Sequence, residues 1–318
     1  MELAIALALA ALGVVALVAG WKVWQKLMAR AEELSAEEPS TVPVAGEGPA
    51  GPDGLVCLFS HEFVRPARKP GGRDRAFAPL TEDELDPEDF ALQMLYALLA
   101  ELFMDGRIDF RIAEREPPYT GPFPTKSWEL QVEQLEDLPP SPLANAMTVA
   151  FEMILGRRKR RRRQDNWVAI DDLIDRMLRA IRQELSFWER TGVYGDLRTY
   201  VENALVAQGY LLPPERSTWL DRVRQKRRRP NVPAIEKLAD EARRLRERLV
   251  EFRRRYGSTE AVEGVEVEGP LPIGNVDPKI IDAKTAIGEL PLDDCLRASL
   301  YEVLTELKQL EPSSDSGV

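Results

Sequence analysis

The chain has very little of what most active sites need. Its 318 residues include one histidine, His61, and two cysteines, Cys57 and Cys295. A structural zinc site takes four ligands, and Cys57 and His61 supply two, so no metal is expected. A Cys–His nucleophile also needs a third group to orient the base, and nothing marks one beside His61 and Glu62. Two cysteines so far apart read as buried free thiols rather than a disulfide framework. Glycine-rich phosphate loops are missing too. Gly46-Glu47-Gly48 has no strand before it and no helix after it, the context such a motif requires. There is no Gly-x-Ser-x-Gly, no His-Glu-x-x-His and no Walker lysine. No catalytic residue, cofactor or small-molecule substrate is expected, and the chain reads as one that binds rather than reacts.

Charge is absent from the eighteen positions between Leu3 and Gly20. A hydrocarbon core of roughly 30 Å needs about 20 apolar residues, so this stretch, extended by Trp21 and Val23, is long enough to span it. A secretory signal peptide would have a basic start and a shorter apolar core, whereas only Met1 and Glu2 precede this one. Trp21 and Trp24 stand where an aromatic belt would lie, followed by Lys22, Lys26 and Arg30. The expectation is a single-pass protein of the cell membrane, N-terminus outside and main domain cytoplasmic. The span holds no ionisable group, so it would act as an anchor and not as a transport path.

Charge is otherwise abundant and unevenly placed. The net charge is −10, but residues 31–140 hold 9 basic and 23 acidic side chains, and residues 141–229 hold 19 basic and 11 acidic. A basic middle between acidic flanks bears on partners and solubility, not on fold. Residues 31–54 are rich in Glu, Ala, Pro and Gly and read as a disordered linker after an anchor segment at 1–30. A mainly helical globular domain is then expected over 55–229, two amphipathic helices around an acidic loop over 230–311, and a disordered tail over 312–318.

Within 55–229 the patterns are local. Leu55 to Phe59 is a short apolar run, read as a buried strand. Asp86 caps a helix that has Pro87 at its first position and acids in its first turn, while the surrounding cluster of Glu82, Asp83 and Glu84 adds helix N-terminal charge. Its apolar residues from Phe90 to Phe103 cover more than one face, which marks a central helix, and Asp105-Gly106 stops it. Ile108, Phe110 and Ile112 alternate with charged residues as a half-buried strand. Trp128, Leu130 and Val132 can return as its partner, giving a winged-helix-like unit. Ser141-Pro142 opens a second apolar helix that Gly156 ends. A strongly amphipathic helix runs from Ile170 to Trp188, and another from Leu197 to Gly209. Leu102 precedes Gly106 by four residues, as Leu205 precedes Gly209, which raises an internal duplication. Trp128, Trp188 and Trp219 read as core or interface anchors. The fold class is therefore mainly α with minor β, in winged-helix-like units, behind a single transmembrane helix.

The strings LLAELFMDGRIDF (98–110) and YVENALVAQGYLLPPERSTWL (200–220) resemble the two ends of the Golgi phosphoprotein 3 (GPP34) domain. That resemblance covers 55–220 and implies a mostly helical cytoplasmic fold that binds phosphoinositide headgroups and membrane-protein tails. The family's lipid-binding positions have no counterpart that can be placed residue by residue, and none is carried over.

Beyond this region, Pro233 opens a helix whose Ile235, Leu238, Leu245, Leu249 and Phe252 form an a/d stripe, a candidate face for a partner helix. In a parallel homodimer Glu241 would attract Arg246, but Arg248 would repel Arg253. Packing on its own domain or on an acidic partner helix is expected at least as much as self-association. Leu292 to Leu310 forms the last amphipathic helix.

The strongest compositional feature is seven consecutive cations: Arg157, Arg158, Lys159, Arg160, Arg161, Arg162 and Arg163. A second cluster holds Arg224, Lys226, Arg227, Arg228 and Arg229. Both are candidate sites for anionic lipid headgroups or an acidic protein partner, at about 1 kcal/mol for each cation near an anionic leaflet. Phosphates of nucleic acid are an alternative, with affinity that falls steeply as salt rises. No aromatic interleaves the first run, which weighs against nucleic acid. A solvated loop that answers the chain's own acids is the bland reading. The expected function is a membrane-anchored adaptor, scaffold or accessory subunit; the alternative is a membrane-tethered, winged-helix-like nucleic-acid-binding regulator.

Overall fold

The apolar run at 55–58 is helical rather than extended. It belongs to α1 (Gly51–Leu58), which starts on Pro52 and buries every side chain from Leu55 to Leu58. Five apolar residues carry no period of their own, so burial on all sides decides their conformation. A computed structural model describes residues 48–67, 75–114, 128–160, 166–213, 228–257 and 291–311. All of these belong to one compact unit, residues 43–318. Ordered chain thus begins before the boundary expected at 54, since Ala50 and Asp53 are already buried.

A short helix α2 (Ser60–Phe63) follows, then the two-residue strands β1 (Ala76–Phe77) and β2 (Glu84–Leu85), which pair antiparallel. The central element is α3 (Pro87–Met104). Its start is written locally: the Asp86 carboxylate accepts the Glu88 and Asp89 amides at 3.0 and 3.1 Å. Every residue from Phe90 to Leu102 is buried, which is why its apolar side chains show no single stripe. At its end Gly106 takes φ +69°, its amide bonds to Phe103 O at 3.0 Å, and the Arg107 amide bonds to Leu102 O at 2.8 Å. This is a Schellman stop, and it turns the chain into β3 (Ile108–Glu114).

β3 pairs antiparallel with β4 (Trp128–Gln134) in a register from Ile108↔Gln134 to Glu114↔Trp128. After α4 (Pro142–Arg160), β5 (Val168–Ala169) adds to β4, giving the order β3–β4–β5. At the β3 edge the Asp109 carboxylate accepts the Phe110 amide at 2.8 Å, which occupies a donor that an edge would otherwise offer to another strand. α4 continues through Gly156, where a stop was expected. Gly costs a helix only about 1 kcal/mol, and the arginines that follow are good helix formers.

The next helix, α5 (Ile170–Glu184), buries Ile170, Leu173, Ile174, Met177 and Ile181. It ends at Leu185, short of Trp188, because a separate 3-10 turn at Phe187–Glu189 follows. α6 (Val193–Ala207) stops at Gly209 with the same geometry as α3. The Gly209 φ is +80°, Gly209 N bonds to Val206 O at 3.0 Å, and Tyr210 N bonds to Leu205 O at 2.9 Å. Strand β6 (Leu211–Leu212) then pairs with β7 (Arg229–Pro230), and the Asn231 side chain bonds to Gly209 O at 2.8 Å.

The C-terminal helices belong to the same core. After α7 (Val232–Glu236), α8 (Ala239–Tyr256) packs along α3. Phe252 meets Tyr96 edge-on at 6.1 Å and Phe103 at 6.0 Å, and Phe103 meets Tyr256 at 5.2 Å. α9 (Leu292–Gln309) packs against α3, α5, α6 and α8.

Two further expectations need correction. No helix among the described residues is long and apolar enough to cross a membrane. Eighteen-residue α3, for example, carries Glu88, Asp89 and Glu101. That finding overturns the single-pass fold class, the membrane assignment and the cell-membrane localisation; the stretch at 3–20 lies outside the described residues. What stands is a mostly helical architecture with a minor sheet. The face formed by Ile235, Leu238, Leu245, Leu249 and Phe252 is also not open to a partner helix. All five side chains are buried in the chain's own core.

Candidate functional site

The first basic run grows out of a rigid stem. α4 is anchored at its start by Ser141, whose hydroxyl accepts the Ala144 amide, and by Asp53, whose carboxylate accepts the Leu143 amide at 2.7 Å. Nineteen residues later the helix ends at Arg160, so Arg157, Arg158, Lys159 and Arg160 form its last turn. Positive charge in the last turn of a helix suits the negative end of its dipole. Arg157 is exposed, and no carboxylate among the described residues pairs with it. Arg161, Arg162 and Arg163 lie outside the described residues, as do Arg224, Lys226 and Arg227.

The second cluster ends in the structure with two different roles. Arg229 is exposed on β7. Arg228 is drawn in: it pairs with Glu202 at 3.6 Å and donates to the Asn203 side-chain oxygen. Glu202 also pairs with Arg198 at 3.5 Å, and Arg198 donates to the Arg75 carbonyl. On the other side Asn203 donates to Glu189 at 3.1 Å. One polar chain therefore crosses α6 from Arg75 through Arg198, Glu202, Arg228 and Asn203 to Glu189. Two guanidiniums, Arg198 and Arg228, share Glu202, and Glu189 closes the chain with a second carboxylate, so its charges balance beside a segment whose sequence is itself basic.

The 3-10 turn beside it is tightly held. The Ser186 amide and hydroxyl both bond to Glu189 Oε2, at 3.0 and 2.7 Å. Burial works to raise the Glu189 carboxyl, but the hydrogen bonds from Ser186 and Asn203 outweigh it and hold it lowered. Arg190 donates from two nitrogens to the Leu185 carbonyl, at 3.3 and 3.2 Å.

Displaced titrations elsewhere have local structural causes. Burial pushes Asp53 up to about 6 against the pull of the Leu143 amide. Burial likewise lifts Asp89 to about 6 against the Arg65 amide, and Glu101 to about 7 against Arg248, whose Nε lies 3.0 Å away. Cys57 is buried with its thiol pushed well up, the opposite of an activated nucleophile. His61 lies 3.9 Å from Glu62 and tilts toward Phe59. Among the described residues no group of three or more His, Cys, Asp or Glu side chains is placed to hold a metal ion. Among the described residues the arrangement offers charge and hydrogen-bond donors at a surface.

Comparison with known protein families, curated proteins and solved structures finds no match. The GPP34 resemblance therefore rests on its two strings alone. Sequence reasoning placed the basic runs but missed the polar chain over α6 and the 3-10 turn. Arg198, Glu202 and Asn203 are scattered single polar residues until α6 aligns them. The break at Leu185 is hidden because the apolar rhythm continues to Trp188.

Proposed function

We propose that the chain is a non-catalytic adaptor or scaffold that engages an acidic protein partner through its basic segments. The observation that supports this most is the continuation of α4 into the cation run. The backbone of α4, which packs against α5, stays helical through Arg157–Arg160, so the start of the run belongs to a helix and not to a slack loop, and Arg157 there is exposed. Preorganised charge loses less freedom on binding, and charge complementarity raises encounter rates and selects partners.

Three probes separate the partner classes: an immobilised glutamate-rich peptide, a DNA duplex, and anionic against neutral liposomes, each titrated with the full chain across salt. The proposal expects the peptide to be preferred. Tighter binding to the duplex, or a preference for anionic liposomes over the peptide, overturns it.

A further inference from the structure

β3 is an edge strand seven residues long. It pairs with β4, and among the described residues no strand lies on its other side. An open edge of that length presents amides and carbonyls that can template a further strand. Its apolar side chains add to the hazard, since Ile112 stands 39% exposed.

The register shows which backbone groups face outward. The Leu135 amide bonds to the Arg107 carbonyl at 2.8 Å, one step beyond the Ile108↔Gln134 pair. Groups turned toward the partner alternate along an antiparallel strand. Arg107, Asp109, Arg111 and Ala113 therefore turn theirs to β4, and Ile108, Phe110, Ile112 and Glu114 turn theirs away from it. The Phe110 amide is thus an outward donor, and it is the one that Asp109 Oδ1 accepts at 2.8 Å. The carboxylate of the preceding residue satisfies it with no second strand.

We propose that Asp109 is a guard that keeps β3 from adding the β3 of a second copy of this chain. Two identical strands pair antiparallel about a single two-fold axis. With that axis at Phe110, Phe110 and its counterpart exchange both amide–carbonyl bonds, and Ile108 lies opposite Ile112 of the other copy. All of these residues turn their backbone groups outward, so the ladder is in register with the sheet behind it. Both central bonds need the Phe110 amide, which Asp109 holds, so the same contact blocks the ladder from either side. Without it the two sheets would join as one of six strands, and the two-fold would close the assembly at two copies. The guard is separate from the basic segments and does not depend on what they bind.

Sedimentation velocity of the full chain over a concentration series tests it, on wild type, Asp109→Ala, Asp109→Asn and the double variant Asp109→Ala with Ile112→Lys. Wild type is expected to stay monomeric, and so is Asp109→Asn, whose side-chain oxygen still accepts the Phe110 amide. Asp109→Ala is expected to dimerise as concentration rises, with self-association at least tenfold tighter than wild type. The double variant is expected to return to monomer, because a lysine on an edge opposes pairing. Circular dichroism checks each fold, and Asp109→Val replaces Asp109→Ala if that variant unfolds. An alanine variant that stays monomeric would overturn the proposal. So would wild type or Asp109→Asn associating as the alanine variant does, a double variant that dimerises undiminished, or open-ended growth past a dimer.

Discussion

Tyr96 donates its phenolic hydrogen to Asp293 Oδ1 across 2.6 Å, joining two buried residues 197 positions apart. The bond ties the first turn of α9 to the middle of α3. Arg297 completes the join by pairing with Asp293 at 2.8 Å and with Asp294. Arg253 of α8 donates to the Tyr96 oxygen at 3.3 Å and lies over its ring. Three helices distant in sequence thus share one buried polar network, which makes the C-terminal helices part of the core.

Tyr96→Phe keeps the ring and removes the hydroxyl, leaving Asp293 short of one donor. The expected loss is about 1–3 kcal/mol in urea unfolding, the cost of a buried polar group left unsatisfied. An unchanged midpoint would mean the network contributes nothing to stability.

Phe252→Ala tests whether the 235–252 face is internal. A buried Phe replaced by Ala costs about 3–5 kcal/mol, so a large drop in the global melting temperature is expected. Were that face a docking surface for another chain, the isolated protein would barely change.

The parts of this fold legible in the sequence are those governed by neighbours in the chain. Asp86-Pro87 marks the start of α3 because the cap is made by an adjacent carboxylate, and Gly106 marks its end because the stop needs a positive φ there. The alternation at 108–112 announces β3 because one face of the hairpin is buried. The 55–59 run misleads because residues far away surround it. Leu245, Leu249 and Phe252 are correctly seen as an apolar stripe, but the stripe cannot say whether α3 or another chain covers it. Which amides of β3 face outward stays invisible for the same reason: the register with β4 decides it, and alternation alone does not.

Asp53 sets a pH dependence with a definite sign. Its folded carboxyl titrates at about 6 against an ordinary value of 3.8, so between about pH 4 and pH 6 the folded chain binds a proton that the unfolded chain has released. This contribution to stability is present at low pH, falls as pH rises through that window, and is level above it. Asp53→Asn lacks the proton. Urea midpoints should therefore show wild type losing ground to the variant between pH 4 and pH 7. A difference that stays constant across that range would contradict the assignment.

Gly192→Ala tests the corner between α5 and α6. Gly192 has φ 116° and ψ 171°, a conformation essentially restricted to glycine, and the added Cβ would crowd the Glu311 carboxylate. The expected cost is about 1–3 kcal/mol in urea unfolding. A neutral result would show that the backbone there relaxes freely.

The most direct test of the central claim is the affinity of the full chain for a glutamate-rich peptide before and after Arg157–Arg163 are replaced by serine and glutamine. The account predicts at least tenfold weaker binding for the replaced chain, with its melting temperature unchanged. Equal affinity in the two chains would contradict it.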